Sequence, residues 1–295
     1  MKLRILIILI FSNFLSAQTG LLNAEKPEDI SKNIDLQKTD ILNYFPVEEN
    51  DVLWSKVVYE YIDLDEKLNF PLLFPIDDDK NIIGRKSLWR ILKEYIDKEI
   101  DDSKLSPNDP NPIQIYRTDD FTQKLRNKDV LNLMSYKSYS EKLQSEGIKD
   151  SLIKFENSKD IGGYNIKGMW YFDKKYAELK YRLLGIQPVG SSIKDLKTVG
   201  SGVSDRETPF FWIWYPSLRK MLHKQMVYND KNTATSISFD QLLISRRFNS
   251  YIYKEDNVNG NRAIGDYKMK GLQSILESER IKKEILDFEQ DMWNR

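Results

Sequence analysis

The sequence predicts an α+β protein: an antiparallel sheet with a central aromatic hairpin, flanked by helices and closed by a long C-terminal helix. Three observations predict it. Tyr164–Val189 alternates around a short polar turn at Asp173-Lys174-Lys175, the period of two paired antiparallel strands. Leu88, Ile91, Leu92, Tyr95 and Ile96 recur every three or four residues, the period of a helix packed on one side. The chain beyond the Glu255–Asp266 turn region keeps a helical period to its end. Together these give a sheet with segregated helices.

Taken in order, the chain opens with Lys2 and Arg4, an apolar run Ile5–Phe11, and Leu15-Ser16-Ala17 before Gln18. This predicts a secretory signal peptide over residues 1–17, too short and wrongly flanked for a membrane anchor. No cysteine follows it, so a lipid-acylated N-terminus is not expected. No other apolar run approaches the ~18 residues needed to span a bilayer. Residues 18–50, polar and broken by Pro27 and Pro46, are expected to form an extended N-terminal arm. Residues 51–295 are then expected to be a single α+β domain, within the size one core can support.

Asp51 is expected to cap a helix carrying Trp54, Val57, Val58, Tyr61 and Ile62, stopped at Asn69-Phe70-Pro71. A second helix starts after Ser87 and ends before Ser103–Pro112, whose three prolines forbid regular structure. Ile113–Arg117 suits a short strand, and Phe121–Tyr139 a mixture of helix and loop. In the hairpin, Ile166, Trp170 and Phe172 share one face and Lys167, Met169 and Tyr171 the other. Across the turn, Ala177, Leu179, Tyr181 and Leu183 alternate with Glu178, Lys180 and Arg182.

Gly190–Thr208 is Gly/Ser-rich and expected to be a mobile loop. Phe210–Tyr215 suits a central strand, and Pro216-Ser217 starts a helix with Leu218, Met221 and Leu222 inward. Ser238-Phe239-Asp240-Gln241 is a capping box for a further helix. Phe248–Tyr253 returns to strand character, and Glu255–Asp266 is a Gly/Asn turn region before the final helix.

Composition excludes several functions. The 295 residues contain no cysteine and one histidine, so disulfides, thiol catalysis and Cys-based metal sites are out. Without Lys2 and Arg4, 43 basic face 45 acidic residues; this near-neutral balance shows no electrostatic footprint for nucleic acid. His223 is expected on a solvated face beside Arg219, Lys220 and Lys224. Asp77, Asp79 and Asn81 mimic a calcium loop, but Ile82 stands where glycine is needed and Leu88 where an acid is needed. Asp63 and Asp65 are expected at a solvated end, not as a hydrolytic dyad. Gly162-Gly163 and Gly200-Ser201-Gly202 lack the context of a phosphate loop. No catalytic, cofactor-binding or metal-binding residue is expected.

Two segments are apolar on both sides. Alternation sends Phe211 and Ile213 opposite Phe210, Trp212 and Trp214, so either the chain covers both faces or one meets a partner. In the last helix Ile281, Ile285, Phe288 and Met292 form one stripe. Leu272, Ile275, Leu276, Leu286 and Trp293 cluster nearly opposite, at about 100° per residue. A break near Ser278-Glu279 would reconcile most of this; otherwise one stripe packs on its own domain and the other on a neighbour. Phe211, Trp212, Trp214, Ile281, Ile285, Leu286, Phe288, Met292 and Trp293 are therefore candidate interface residues.

The segment KGMWYFDKKYAELKYRLLGI, residues 167–186, resembles the central part of the GldN/PorN family of gliding-motility and type IX secretion proteins. The same resemblance runs in order through Asp51–Phe74, Phe210–Pro216, Ile237–Glu255 and Leu276–Trp293, about half of the chain after residue 17. It is weak over Gln18–Asn50, Ser103–Gly163 and Gly190–Pro209. The resemblance implies a periplasmic scaffold without an active site, on the inner face of the outer membrane. It further implies a ring with a GldK/PorK-type outer-membrane lipoprotein, self-association within it, and contact with a GldM/PorM-type inner-membrane-anchored protein. The alternatives are a periplasmic carboxylate-based hydrolase, which needs a cleft with a carboxylate of raised pKa, and an aromatic-platform ligand-binding module, which needs a pocket lined by Trp212 and Trp214.

Overall fold

The computed structural model describes residues 41, 43–44, 46–76, 85–100, 113–126, 129–130, 133, 135–138, 151–154, 158–191, 207–227, 237–268 and 271–293. These belong to one compact unit, Ile41–Arg295. The expected signal peptide, most of the expected arm, the Asp77–Asn81 turn, Ser103–Pro112 and Gly200-Ser201-Gly202 lie outside the described residues. The strands are β1 (Val52–Asp63), β2 (Ile115–Tyr116), β3 (Ser135–Ser138), β4 (Ser151–Lys154), β5 (Ile161–Asp173), β6 (Glu178–Ser191), β7 (Glu207–Pro209), β8 (Trp212–Trp214), β9 (Met226–Val227), β10 (Ile237–Ser238) and β11 (Tyr251–Glu255). The helices are α1 (Phe70–Leu73), α2 (Leu88–Ile100), α3 (Tyr215–His223), α4 (Phe239–Ile244), α5 (Ile264–Tyr267) and α6 (Gly271–Trp293).

The predicted class is the observed one. A seven-stranded antiparallel sheet runs in the order β11-β1-β5-β6-β8-β2, with β7 pairing one end of β6. The hairpin β5–β6 is its middle, paired from Asp173↔Glu178 to Ile161↔Gly190. Its turn is held by one carboxylate: Asp173 Oδ1 accepts from the backbone N–H of Lys175 at 3.0 Å and Tyr176 at 3.3 Å, and Oδ2 from Lys180 Nζ at 2.9 Å. Lys180 and these N–H groups hold the carboxyl below the ordinary carboxylate range. Between Lys167↔Gly185 and Gly168↔Leu183 the strand β6 carries one extra residue, Leu184. That bulge lets Leu183 and Ile186, three residues apart, both reach the core.

The segment after Asp51 corrects the sequence reading: it is the twelve-residue strand β1, not a helix. Trp54, Val57, Val58, Tyr61 and Ile62 matched a helical period because β1 lies between two neighbours and is apolar on both faces. The β-branched and aromatic run Val57–Ile62 was the signal that should have decided it. Asn69-Phe70-Pro71, expected as a stop, opens the single turn α1 instead. The Phe210–Tyr215 strand shrinks to Trp212–Trp214 and lies next to the sheet's edge, between β6 and β2, rather than at its centre.

The other helices follow their sequence signals. The backbone N–H of Arg90 donates to Ser87 Oγ at 3.1 Å, capping α2. Both capping-box bonds of α4 form, each 3.1 Å, between Ser238 and Gln241. The alternative of a break near Ser278-Glu279 does not occur: the 23 residues of α6 run continuously. The main core gathers Leu88, Trp89, Ile91, Leu92 and Ile96 of α2 with Tyr164, Ile166, Leu183, Ile186, Phe211, Ile213 and the inner faces of α3 and α4. A second, smaller cluster lies under α6.

Candidate protein interface

Among the described residues, four exposed large apolar side chains gather on α6, and its position follows from what its two sides touch. Ile281 and Ile285 are buried with Val58 of β1, Ile252 of β11 and Ile264 of α5. Phe288 stacks on Trp54 at 4.7 Å between centroids and 17° between planes, and meets the edge of Phe172 at 5.8 Å. The predicted stripe Ile281, Ile285, Phe288 is thus spent on the chain's own sheet, with Met292 half-buried at its end.

Polar contacts fix the helix against the free edge of β11. The backbone N–H of Ile252 donates to the buried Ser278 Oγ at 3.1 Å, and Lys282 Nζ donates to the Ser250 carbonyl at 3.3 Å. An edge strand left open is a template for further pairing; here α6 blocks it. Lys56 of β1 bridges Glu255 of β11 at 2.9 Å and Glu284 of α6 at 2.8 Å. Burial alone would lower the Lys56 pKa, but the carboxylates of Glu284 and Glu255 outweigh it and raise the ammonium above its ordinary value. Lys56, against the opposing effect of burial, and Arg280 in turn hold Glu284 below the ordinary carboxylate range.

The opposite stripe has no such cover among the described residues. Leu272 is 70 %, Ile275 62 %, Leu276 60 % and Leu286 54 % exposed. Of these, only Leu286 is among the candidate residues picked from sequence; the other three carry the same helical signal. The Trp293 side chain lies outside the described residues.

The aromatic strand has a different fate. Phe211 and Ile213 are fully buried on the helix-covered face, and Trp212 is buried on the other. Phe121, held at φ 56°, caps that second face, with its ring 6.4 Å from Trp212 and 4.8 Å from Trp214. Gly185 makes room for it: a Cβ there would stand 2.6 Å from Phe121 Cζ. Phe211 and Trp212 therefore have no surface to offer a partner, and Trp214 is half-buried. Among the described residues, Trp212 is buried and Trp214 half-covered beneath the Phe121 ring, which leaves no open aromatic platform there.

Sequence reasoning missed two buried charge clusters. Arg246, at φ 52°, donates to Glu60 from both Nη atoms, at 2.6 and 3.1 Å, and lies over Tyr181, Trp170 and Phe248. Arg219 of α3 pairs with the fully buried Asp240 of α4 at 3.1 Å, and Tyr215 Oη donates to the same carboxylate at 2.9 Å. Tyr44, from the end of the expected arm, lies over Arg219 and Arg182. His223, one turn from Arg219, is buried rather than solvated as expected. An i,i+4 pair shares a helix face, and this face is drawn inward by the Asp240 ion pair.

Chemically these clusters tie elements together. Every carboxyl with a displaced pKa among the described residues is displaced downward. For Glu94 and Asp119, burial would raise it but is outweighed, by Lys86 and Arg90 in one case and by the Tyr59 hydroxyl and Lys254 in the other. Hydrogen bonds from Thr118 and Thr122 lower Asp120. None of these groups resembles a carboxylic acid held protonated for proton donation at neutral pH. No cluster of three or more metal-ligating side chains occurs among the described residues. No described helix is long and apolar enough to cross a membrane.

A family model described as "Gliding motility associated protein GldN" matches residues 47–294, well over half of the chain and every element from β1 to α6. The comparison with curated proteins returned no match.

Proposed function

The chain belongs to the GldN family of gliding-motility-associated proteins, and on that premise we propose that it is a non-enzymatic scaffold of the type IX secretion and gliding machinery. Proteins of this family are components of that machinery and are not a known enzyme family. The observation that carries the finer reading is α6: one apolar stripe holds it to its own sheet while a second, made of Leu272, Ile275, Leu276 and Leu286, faces outward. A protein whose task is assembly needs such a rigid, unpaired apolar surface.

In this reading residues 1–17 direct export and are removed, and the product works in the periplasm at the inner face of the outer membrane. There it forms a ring with a GldK/PorK-type lipoprotein and contacts a GldM/PorM-type protein anchored in the inner membrane. It passes force or position from one membrane to the other through protein contacts. The test is whether the purified chain co-migrates with the lipoprotein as one large assembly. Separate migration under conditions where both are folded would sink the scaffold reading. Mass analysis of the exported N-terminus tests the leader: a product beginning at Gln18 is expected, and an intact Met1 contradicts it.

A further inference from the structure

The outward face of α6 has a second property beyond being apolar: its charges make it complementary to itself. Leu272, Leu276, Glu279, Lys283, Leu286 and Gln290 follow one another at spacings of four, three, four, three and four residues. At about 100° per residue they fall within an arc of about 80°, on the side away from Ile281 and Ile285. All six are exposed. This is the spacing of a two-helix seam, with leucines toward the ends and one acid and one base in the middle. Glu279 makes an exposed contact with Lys282 at 3.2 Å, and Lys283 has no ion pair among the described residues.

We propose that this face pairs with the same face of a second copy of the chain, the two α6 helices running antiparallel about a two-fold axis. In that register Leu276 meets Leu286 of the second copy, Glu279 meets Lys283, and Leu272 meets Gln290, each contact occurring twice. The alternatives fail on charge or on burial. A parallel in-register pair sets Glu279 on Glu279 and Lys283 on Lys283, like charges that repel. Sliding either arrangement by one heptad places a leucine on Glu279 or Lys283. Only the antiparallel pairing matches every leucine with an uncharged residue and every charge with its opposite, which is how polar seam positions specify register.

The contact is isologous, as two-fold interfaces are, and spans about 28 Å of helix at 1.5 Å per residue. It rests on the scaffold reading only for the reason to associate; the register comes from the helix itself. The exposed leucines sit opposite Ile281 and Ile285, so pairing leaves the packing of α6 on its sheet untouched.

Sedimentation of the purified exported chain over a concentration series tests the pair. A monomer–dimer equilibrium is expected for the native sequence. Glu279→Lys and Lys283→Glu should each weaken it at least tenfold, and the double variant should restore it. Mixing the two single variants should give a dimer that neither forms alone, since both cross-pairs are then of opposite sign. A chain lacking cysteine also allows a direct check of register. Leu276→Cys mixed with Leu286→Cys should cross-link on oxidation, and neither variant should do so alone. A monomer at every concentration, or variants that all dimerise equally, overturns the proposal. A monomer whose Leu286→Asp variant also loses co-migration with the lipoprotein overturns it in favour of a different partner on this face. If the pair forms but the lipoprotein does not co-migrate, the scaffold reading falls and the pair stands.

Discussion

The strand β8 and the helix α6 present the same pattern in sequence, apolar on two sides, and the structure treats them in opposite ways. β8 has strands on both edges, helices over Phe211 and Ile213, and the Phe121 ring over Trp212 and Trp214. The chain covers both of its faces itself. α6 lies at the rim against the edge strand β11, and among the described residues only the Ile281–Ile285 side finds a cover. Period tells how many faces of an element are apolar; position in the stack of layers tells which of them the chain can reach.

Substitutions sharpen that contrast, and the largest effect is expected at Phe211, the residue just before β8. Phe211→Ala removes a fully buried ring from the middle of the main core and should cost about 3–5 kcal/mol. Urea denaturation measures it; a loss below about 1 kcal/mol would show that Phe211 is not the core residue described here. On α6 the inner face should respond less, because the cluster around Ile285 is small and close to the rim. Ile285→Ala is expected toward the lower end of about 2–5 kcal/mol, and Ile285→Asp should unfold at least this end of the molecule. Equal losses at Phe211 and Ile285 would erase the distinction between a central and a rim element.

Much of the fold was legible in the sequence, for identifiable reasons. The hairpin turn, the capping box at Ser238 and the stripe of α2 are local devices, and each forms as its residues dictate. β1 was misread because burial on both faces removes the alternation that marks a strand; the information lay in the β-branched residues Val57 and Val58 rather than in period. His223 was misplaced for a non-local reason, since the carboxylate that draws its helix face inward, Asp240, lies 17 residues further along the chain. The outward stripe of α6 was visible as a pattern, but Phe211 and Trp212 carried an equally strong one. Phe121, which covers Trp212, comes from a segment with no apolar period to announce it, and Gly185, which lets it do so, has no side chain to enter the alternation of its strand.

Smaller effects test how α6 is held. Ser278→Ala leaves the buried N–H of Ile252 without its acceptor, which should cost about 1–2 kcal/mol and raise hydrogen exchange at that amide. Unchanged exchange would mean that Ser278 does not close the sheet edge. The Lys56–Glu284 pair should contribute less, under about 1 kcal/mol, because Glu284 is half in solvent. The folded pKa of Glu284 is depressed, so its contribution is present above about pH 4.3 and lost as pH falls through the folded value. The folded pKa of Lys56 is raised, so its contribution is complete below about pH 10.4 and is lost at higher pH. Glu284→Gln should therefore be slightly less stable than the native chain near pH 7, with the difference closing as pH falls through the folded value. A difference that does not shrink with falling pH would assign the effect to packing instead.

The smallest change in stability is expected at the residue next to Ile285. Leu286 points away from the sheet and is more than half exposed, and exposed substitutions clear of special contacts usually stay within about ±0.5 kcal/mol. Leu286→Asp removes little packing inside the chain, so at a concentration where both are monomeric its melting temperature should match that of the native protein. Its position on the outward stripe makes the opposite demand on assembly, because an aspartate there would have to be buried against an apolar or acidic neighbour when a partner docks. A folded chain that no longer assembles is therefore the expected phenotype, read by thermal melting beside sedimentation and co-migration with the lipoprotein. Two adjacent residues, one unfolding the protein and one only disassembling it, is an outcome a single-faced helix cannot produce. If Leu286→Asp unfolds the chain as Ile285→Asp does, α6 is buried on both sides like β8 and the contrast between them disappears. If neither change affects assembly, the outward stripe is an idle surface.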